Sequence, residues 1–355
     1  MELAGDDDAR LRFQVALSLG FAPGDELISP LAQIALAGAD DVWTRRAVLT
    51  SVAARPGKLL VALIEGARNA QPGDGYWSLL DETARLVGAR HETGEVAAVL
   101  KALAAIKPSD ARQQTQLTVL TGVARGVRGR GMTWQAMLDR LPDAAMREAA
   151  VSILSHAART AANSDAGSDA RQRACAALAY ADDKLAVDVL GAVMLHALEQ
   201  PLRLAAIAAL AMHDTPAVAD LLLSDFQQQT PEVRRAMFDA LLVRPGRANR
   251  LLDELAAGRL KPAELDPAQT QRLLRHTDPQ IRTRAGELLA AALPADRANV
   301  MAHYQTALDL HADPEHGREV FKKNCATCHR IGDVGVDVAP SIADSRTKTP
   351  RQLLA

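Results

Sequence analysis

Large aromatic side chains are scarce here. Aromatic residues make up 3% of the 355-residue chain, while Ala, Leu and Arg recur throughout. That balance argues against a sandwich or barrel, whose strands draw on β-branched and aromatic residues, and for close-packed helices. Excess charge of one sign is also missing. The formal net charge is −2 and no block of like charge exceeds Asp6-Asp7-Asp8, so there is no basic stripe for phosphates and nucleic acid is excluded as an expected partner. Long apolar runs are absent too. The longest, Leu204 to Met212, is far below the roughly 18 residues of a spanning helix. The opening Met1-Glu-Leu-Ala-Gly-Asp-Asp-Asp is acidic where an export signal would be basic, and no apolar core follows it. With 48% hydrophobic and 24% charged residues, the composition is that of a soluble globular chain able to bury a sizeable core.

A short pattern recurs: an acidic residue or Pro, then an Arg, then a run of small residues with apolar positions three and four apart. Its arginines are Arg12, Arg45, Arg147, Arg171, Arg203, Arg234 and Arg282. The steps Arg12 to Arg45, Arg171 to Arg203 and Arg203 to Arg234 are 33, 32 and 31 residues, a period typical of α-solenoids. The step from Arg147 to Arg171 is short and leaves the register open there. Each unit is expected to be a helical hairpin, its second helix clearest in Asp183 to Leu198, whose apolar residues fall at helical spacing. Asp or Pro at a helix entrance has a physical cause: Asp caps orphan N–H groups, and Pro gives up a donor that would go unused. These units resemble HEAT repeats.

The expected architecture is therefore all-α: a HEAT-like α-solenoid over residues 1–293, a connecting helix and linker over 294–309, and a second domain over 310–355. Trp43, Trp77 and Trp134 read as packing anchors, and Cys175 as a small buried helix residue. His156, His196, His213 and His276 read as structural or exposed side chains of the repeats.

The second domain carries the chemistry. Cys325-Ala-Thr-Cys328-His329 matches the c-type haem attachment pattern, in which two thiols add across porphyrin vinyl groups and the next imidazole ligates iron. Cysteines three apart share one turn, and a histidine behind the second needs no long loop to reach the metal. Chance would produce this pattern in about 6 in 10,000 chains of this composition, so the match carries weight. Two rival readings stand beside it. A thioredoxin-type Cys-x-x-Cys pair needs a βαβ setting, which the pattern does not supply. A zinc site needs further ligands such as His303, His311 or His316.

Asp313-Pro-Glu315 reads as a helix entrance, and Gly317 and Phe321 stand four apart on the helix that follows. Gly332 and Gly335 permit a tight loop after the histidine. The segment resembles class I cytochromes c. That resemblance implies a Gly and an aromatic at the crossing of first and last helices, and a role for Pro340, whose carbonyl would hold the His329 Nδ1–H and so orient the ring. Lys322 and Lys323 read as a solvated face, with steering of an acidic redox partner as the alternative.

Two further runs widen the likeness. Leu251 to Leu265, with Gln271 to Ala285, is similar to the end of the HEAT region in planctomycete-type haem-binding, dehydrogenase-like proteins, and Gly317 to His329 is similar to the start of their cytochrome c domain. The resemblance implies covalently attached haem c held by Cys325, Cys328 and His329, single-electron transfer, a redox partner or an adjoining dehydrogenase-like domain, and an exported or periplasmic location when haem is loaded. Such proteins often carry a β-propeller, which nothing in residues 1–355 matches, so dehydrogenase activity is expected in another domain. Two departures follow. No Met comes after Met301 to serve as a distal ligand, and the chain opens inside a repeat helix, so it is expected to be a fragment with an incomplete cytochrome domain. A different class of reading makes the chain a protein-interaction solenoid that never receives haem, motivated by the missing export signal. A peroxidase-like centre finds no distal acid-base group.

Overall fold

The structure is a computed structural model that describes residues 2–66, 73–106, 110–290, 303–336, 338, 348 and 349. It falls into two compact units, Met1–Leu251 and Leu252–Ala355.

Among the described residues of the first unit fifteen α-helices follow one another: α1 (Ala9–Leu19), α2 (Ile28–Ala37), α3 (Val42–Ser51), α4 (Pro56–Gly66), α5 (Asp74–Arg90), α6 (Thr93–Ala104), α7 (Asp110–Gly129), α8 (Trp134–Asp139), α9 (Ala144–Ala162), α10 (Ser168–Leu178), α11 (Asp183–His196), α12 (Gln200–Leu210), α13 (Pro216–Leu223), α14 (Pro231–Leu242) and α15 (Pro245–Ala256), the last crossing the division. They stack in two layers. One runs α1, α3, α5, α7, α10, α12, α14, each packed on the next; the other runs α2, α4, α6, α9, α11, α13. This is an all-α solenoid of helical hairpins.

The core lies where the layers face each other. Leu31 and Ile34 of α2, Leu59, Leu60 and Leu63 of α4, and Leu79 and Leu80 of α5 are fully buried. Each such side chain stabilises the fold by about 1.5–3 kcal/mol relative to exposure. Cys175 is among these core residues, as expected, and burial pushes its thiol pKa up to about 12, so it stays protonated and unreactive. His213 is buried with both ring nitrogens bonded, Nδ1 2.7 Å from Asp183 and Nε2 2.9 Å from the Leu178 carbonyl. Trp134 is buried and Trp77 half-buried, but Trp43 is 65% exposed. It is therefore no packing anchor: at the second position of α3 it faces away from the layer interface.

The recurring arginine has a clear task. Arg12 donates to the Asp6 carbonyl at 2.6 Å, Arg45 to Ala39 at 2.6 Å, Arg171 to Ala161 at 3.1 Å, Arg203 to Met194 at 2.8 Å and Arg282 to His276 at 2.6 Å. Ala161 and Met194 lie in the last turns of α9 and α11, where carbonyls have no intrahelical donor and the helix end is negative. The arginine of one helix closes the helix or turn before it. The short step from Arg147 to Arg171 also resolves. The insertion of α8 places the Asp143 motif on α9, a second-layer helix, so Arg147 and Arg171 belong to the two helices of one hairpin rather than to successive repeats.

The crossing of α5 and α7 is the closest in the array. The helices run in the same direction, with Asp81 facing Gly122 and Arg125, and Arg85 facing Gly126. A Cβ on Gly88 would overlap the Val123 carbonyl oxygen and come 2.8 Å from the Val127 nitrogen; one on Gly126 would overlap the Arg85 carbonyl and come 2.9 Å from the Ala89 nitrogen. These glycines let two backbones touch.

The second unit holds the rest of α15, then α16 (Pro267–Leu274), α17 (Pro279–Ala290), α18 (Pro314–Asn324), and two-residue strands β1 (Arg330–Ile331) and β2 (Val334–Gly335). Leu260, Leu265, Leu273, Ile281, Ala285 and Leu289 form its small core. Asp266 caps α16 in a capping box with Gln269, bonded both ways at 2.8 and 2.9 Å. The expected connector begins outside the described residues; residues 303–305 are helical and Thr306–Asp309 is a 3-10 turn. No helix among the described residues is long and apolar enough to cross a membrane.

Two stability measurements check this account. Gly88→Ala should lower the free energy of unfolding by about 1–3 kcal/mol through overpacking, although Gly286→Ala in α17, where a Cβ meets nothing within 4 Å, should raise it by about 0.5–1 kcal/mol. Arg171→Met should cost about 1–3 kcal/mol in urea unfolding, because it strands the buried Ala161 carbonyl. An unchanged midpoint would show that Arg171 does not stabilise the end of α9.

Candidate functional site

Helix α18 is built to start and stop sharply. Asp313 accepts from the His316 nitrogen at 3.0 Å and Pro314 takes the first position, while Glu315 lies in the first turn and Lys322 and Lys323 in the last. Acid at the start and base at the end both suit the helix dipole. Lys322 also pairs with Glu319 at 2.8 Å, which holds the Glu319 carboxyl below its usual range through that hydrogen bond.

The attachment motif follows at once as one tight turn. The Phe321 carbonyl accepts from both Cys325 N at 2.8 Å and Ala326 N at 3.0 Å, and the Cys325 carbonyl accepts from Cys328 N at 3.1 Å and His329 N at 2.9 Å. Cys325, Cys328 and His329 are thus brought together on a single backbone turn. Cys325 is half-buried, Cys328 is exposed, and neither is in a disulfide. This pair sits after a helix C-terminus, the opposite of the helix N-terminal setting that activates thioredoxin-type cysteines.

Beyond His329 the chain reverses. β1 and β2 pair antiparallel, Arg330 opposite Gly335 and Ile331 opposite Val334, across Gly332 and Asp333. Gly332 has φ +60° and Gly335 φ +99°. A Cβ on Gly335 would overlap the His329 carbonyl and lie 3.2 Å from the Ala326 carbonyl, and Val336 N donates to Ala326 O at 3.2 Å. The loop therefore folds back onto the attachment turn. The sequence reading has only a loop here; Gly332-Asp333 between Ile331 and Val334 is the hairpin signal it passed over.

The described residues of 303–336 include no buried side chain. Val320 is 46% exposed, Ile331 41% and Val336 48%, with Phe321 half-buried. Two thiols, an adjacent imidazole and this apolar set fit haem c: the porphyrin is a large apolar plate, and the donor set is the one its covalent attachment uses. Among the described residues no three His, Cys, Asp or Glu side chains gather as a metal site. Pro340 lies outside the described residues. A Cβ on Gly317 meets nothing within 4 Å, so the close helix crossing implied for it has no counterpart among the described residues.

Residues 314–354 match the family model for cytochrome c. No curated protein matches the chain. Among solved structures, human deoxyhypusine hydroxylase in complex with glycerol is 16% identical, over 81% of this chain and 93% of that one, with a TM-score of 0.25, too low to carry an argument. The all-α array is therefore followed by a C-terminal cytochrome c domain, a kind of domain that binds haem c and transfers electrons.

Gly335→Ala should introduce about 1–3 kcal/mol of local strain and open residues 330–336 to limited proteolysis, whereas Gly332→Asn, at a φ that Asn tolerates, should leave the cleavage pattern unchanged. Equal protease resistance in both variants would remove the need for close approach at Gly335.

Proposed function

We propose that residues 310–355 carry covalent haem c and pass single electrons. Cys325 and Cys328 would hold the porphyrin through thioethers, each S–H adding across one vinyl group, and His329 would ligate the iron. The cofactor supplies a one-electron iron couple. The chain's own part is geometric: the Cys325 carbonyl, bonded to the nitrogens of Cys328 and His329, keeps thiols and imidazole in one turn, and Val336 closes the loop beneath them. By its resemblance to class I cytochromes c, Pro340 would be the residue whose carbonyl holds the imidazole's other nitrogen. The helices of residues 1–293, HEAT-like in their repeats, serve as the scaffold, and a redox partner or an adjoining dehydrogenase-like domain exchanges electrons with the haem. Attachment of c-type haem takes place outside the cytoplasm, so the loaded protein works in an exported or periplasmic setting.

The observation that carries this reading is Cys325-Ala-Thr-Cys328-His329 inside the segment matching cytochrome c. The chain, directed to the periplasm with a haem-ligation system, should keep its haem through acid extraction and denaturing electrophoresis. Its alkaline pyridine spectrum should be that of two thioethers, shift for Cys325→Ala or Cys328→Ala, and vanish for the double substitution. Haem that extracts into acid, or a spectrum indifferent to both cysteines, would refute covalent attachment and favour the interaction-solenoid reading.

A further inference from the structure

Across the faces of α3, α5 and α7 runs a shallow groove of about 790 Å³. Its floor is apolar, from Leu49 of α3, Ala53 in the turn after it, and Leu86 and Ala89 of α5, and Gly126 and Gly129 of α7 add no side chains to fill it. Charged groups along it are Arg46, Arg85, Arg130 and Glu82. Glu82 is met by Arg45 at 3.5 Å, and Asp81 by Arg85 at 3.5 Å and Arg125 at 3.3 Å. Five arginines thus face two carboxylates on a chain whose formal net charge is −2. Arg46 and Arg130 are exposed and hold no ion pair among the described residues. Trp43 stands beside Arg46, whose guanidinium lies 5.9 Å from the indole centroid. Phe21, 92% exposed, follows Gly20, where a Cβ would come 2.9 Å from Ser51 of α3.

We infer that this groove docks an acidic amphipathic peptide segment of a partner protein. Carboxylates of the segment meet Arg46 and Arg130, and a large apolar side chain lies on Leu49 and Leu86 beside Trp43. Exposed Trp and Arg next to an apolar trough are the residue types that anchor protein interfaces. A small molecule is the poorer occupant, because the groove is open and lacks the convergent buried polar groups that orient such ligands. Nucleic acid is poorer too, since the positive surplus is local to three helices and makes no stripe. The inference concerns the first unit and does not depend on haem attachment.

The test uses the full chain and a fluorescein-labelled twelve-residue peptide of glutamate and leucine with one phenylalanine, followed by anisotropy at low salt. Saturable binding is expected, weakening as salt rises. The double substitution Arg46→Glu with Arg130→Glu should weaken it at least about tenfold, the milder Arg46→Gln with Arg130→Gln should fall between, and Trp43→Ala should cost about fivefold or more. All three changes are at exposed positions, and circular dichroism confirms that the helices persist. Four results overturn the proposal: no saturable binding, equal affinity after charge reversal, equal affinity for a peptide with lysine in place of glutamate, or displacement of the acidic peptide by a thymidine oligonucleotide.

Discussion

A helix leaves its last carbonyls without intrahelical donors, and an array of short helices repeats that cost at every turn. In this chain the helix or turn ahead of a repeat is closed by the helix that comes after it. The side chains of Arg171 and Arg203 reach back nine or ten residues to carbonyls in the last turns of α9 and α11, and Arg12, Arg45 and Arg282 do the same for turns six residues earlier. At the other end, Asp8, Asp41, Asp143 and Asp182 accept from the first free N–H groups of their helices. At Asp41 the Thr44 hydroxyl, 2.6 Å away, and the Thr44 N–H hold the carboxyl below its usual range. At Asp8 and Arg12, Asp41 and Arg45, and Asp278 and Arg282 one short motif thus caps its own helix and closes the turn before it.

Between repeats a second set of contacts keeps the same period. Arg55 reaches Asp25, His213 reaches Asp183, Arg244 reaches Asp214, and Arg250 reaches Asp220, each thirty residues away. Most of these side chains are part-exposed, so each pair adds little energy alone. Their value is register: a helix slipped by one turn would lose the whole series together. His213 differs, because its buried ring also holds the Leu178 carbonyl. The attachment segment works under another regime. Without a buried side chain in the described residues of 303–336, its shape rests on local hydrogen bonds accepted by the Phe321, Cys325 and Ala326 carbonyls and on two glycines at positive φ.

What could be read in the sequence divides along the same line. The arginine motif and its period were legible because they are local and repeated, and Cys175 was legible because a small residue amid Ala and Leu of a helix has one obvious place. The cytochrome c domain was legible because its Cys325-Ala-Thr-Cys328-His329 run is a local pattern whose spacing needs no reference to the rest of the fold. The placement of α9 was not, since an Asp cap and an early Arg look alike on either layer, and only the insertion of α8 decides which layer a helix joins. Trp43 departs from expectation for another reason: a large apolar side chain alone favours the core, but the position two before the motif arginine is exposed in every repeat, as at Arg10, Ala145, Asp169, Pro201, Glu232 and Gln280. The division between Leu251 and Leu252, inside a continuous helix, leaves no mark in composition, whereas the change after Leu293 does.

The glycines of α7 connect packing to surface. Gly122 and Gly126 are placed where any side chain would meet α5, with Ala84 Cβ only 2.7 Å from a Cβ on Gly122. Pulling the two backbones together brings Arg125 of α7 to Asp81 of α5, which also pairs with Arg85 one turn along its own helix, and leaves Gly126 and Gly129 along the groove without side chains to fill it. A larger residue at Gly126 would push α5 away, separate Arg125 from Asp81 and change the groove floor in one step. Close helix packing and the basic, apolar-floored surface are therefore consequences of the same small residues. The positive surplus there persists because the arginines outnumber the carboxylates that the crossing brings within reach.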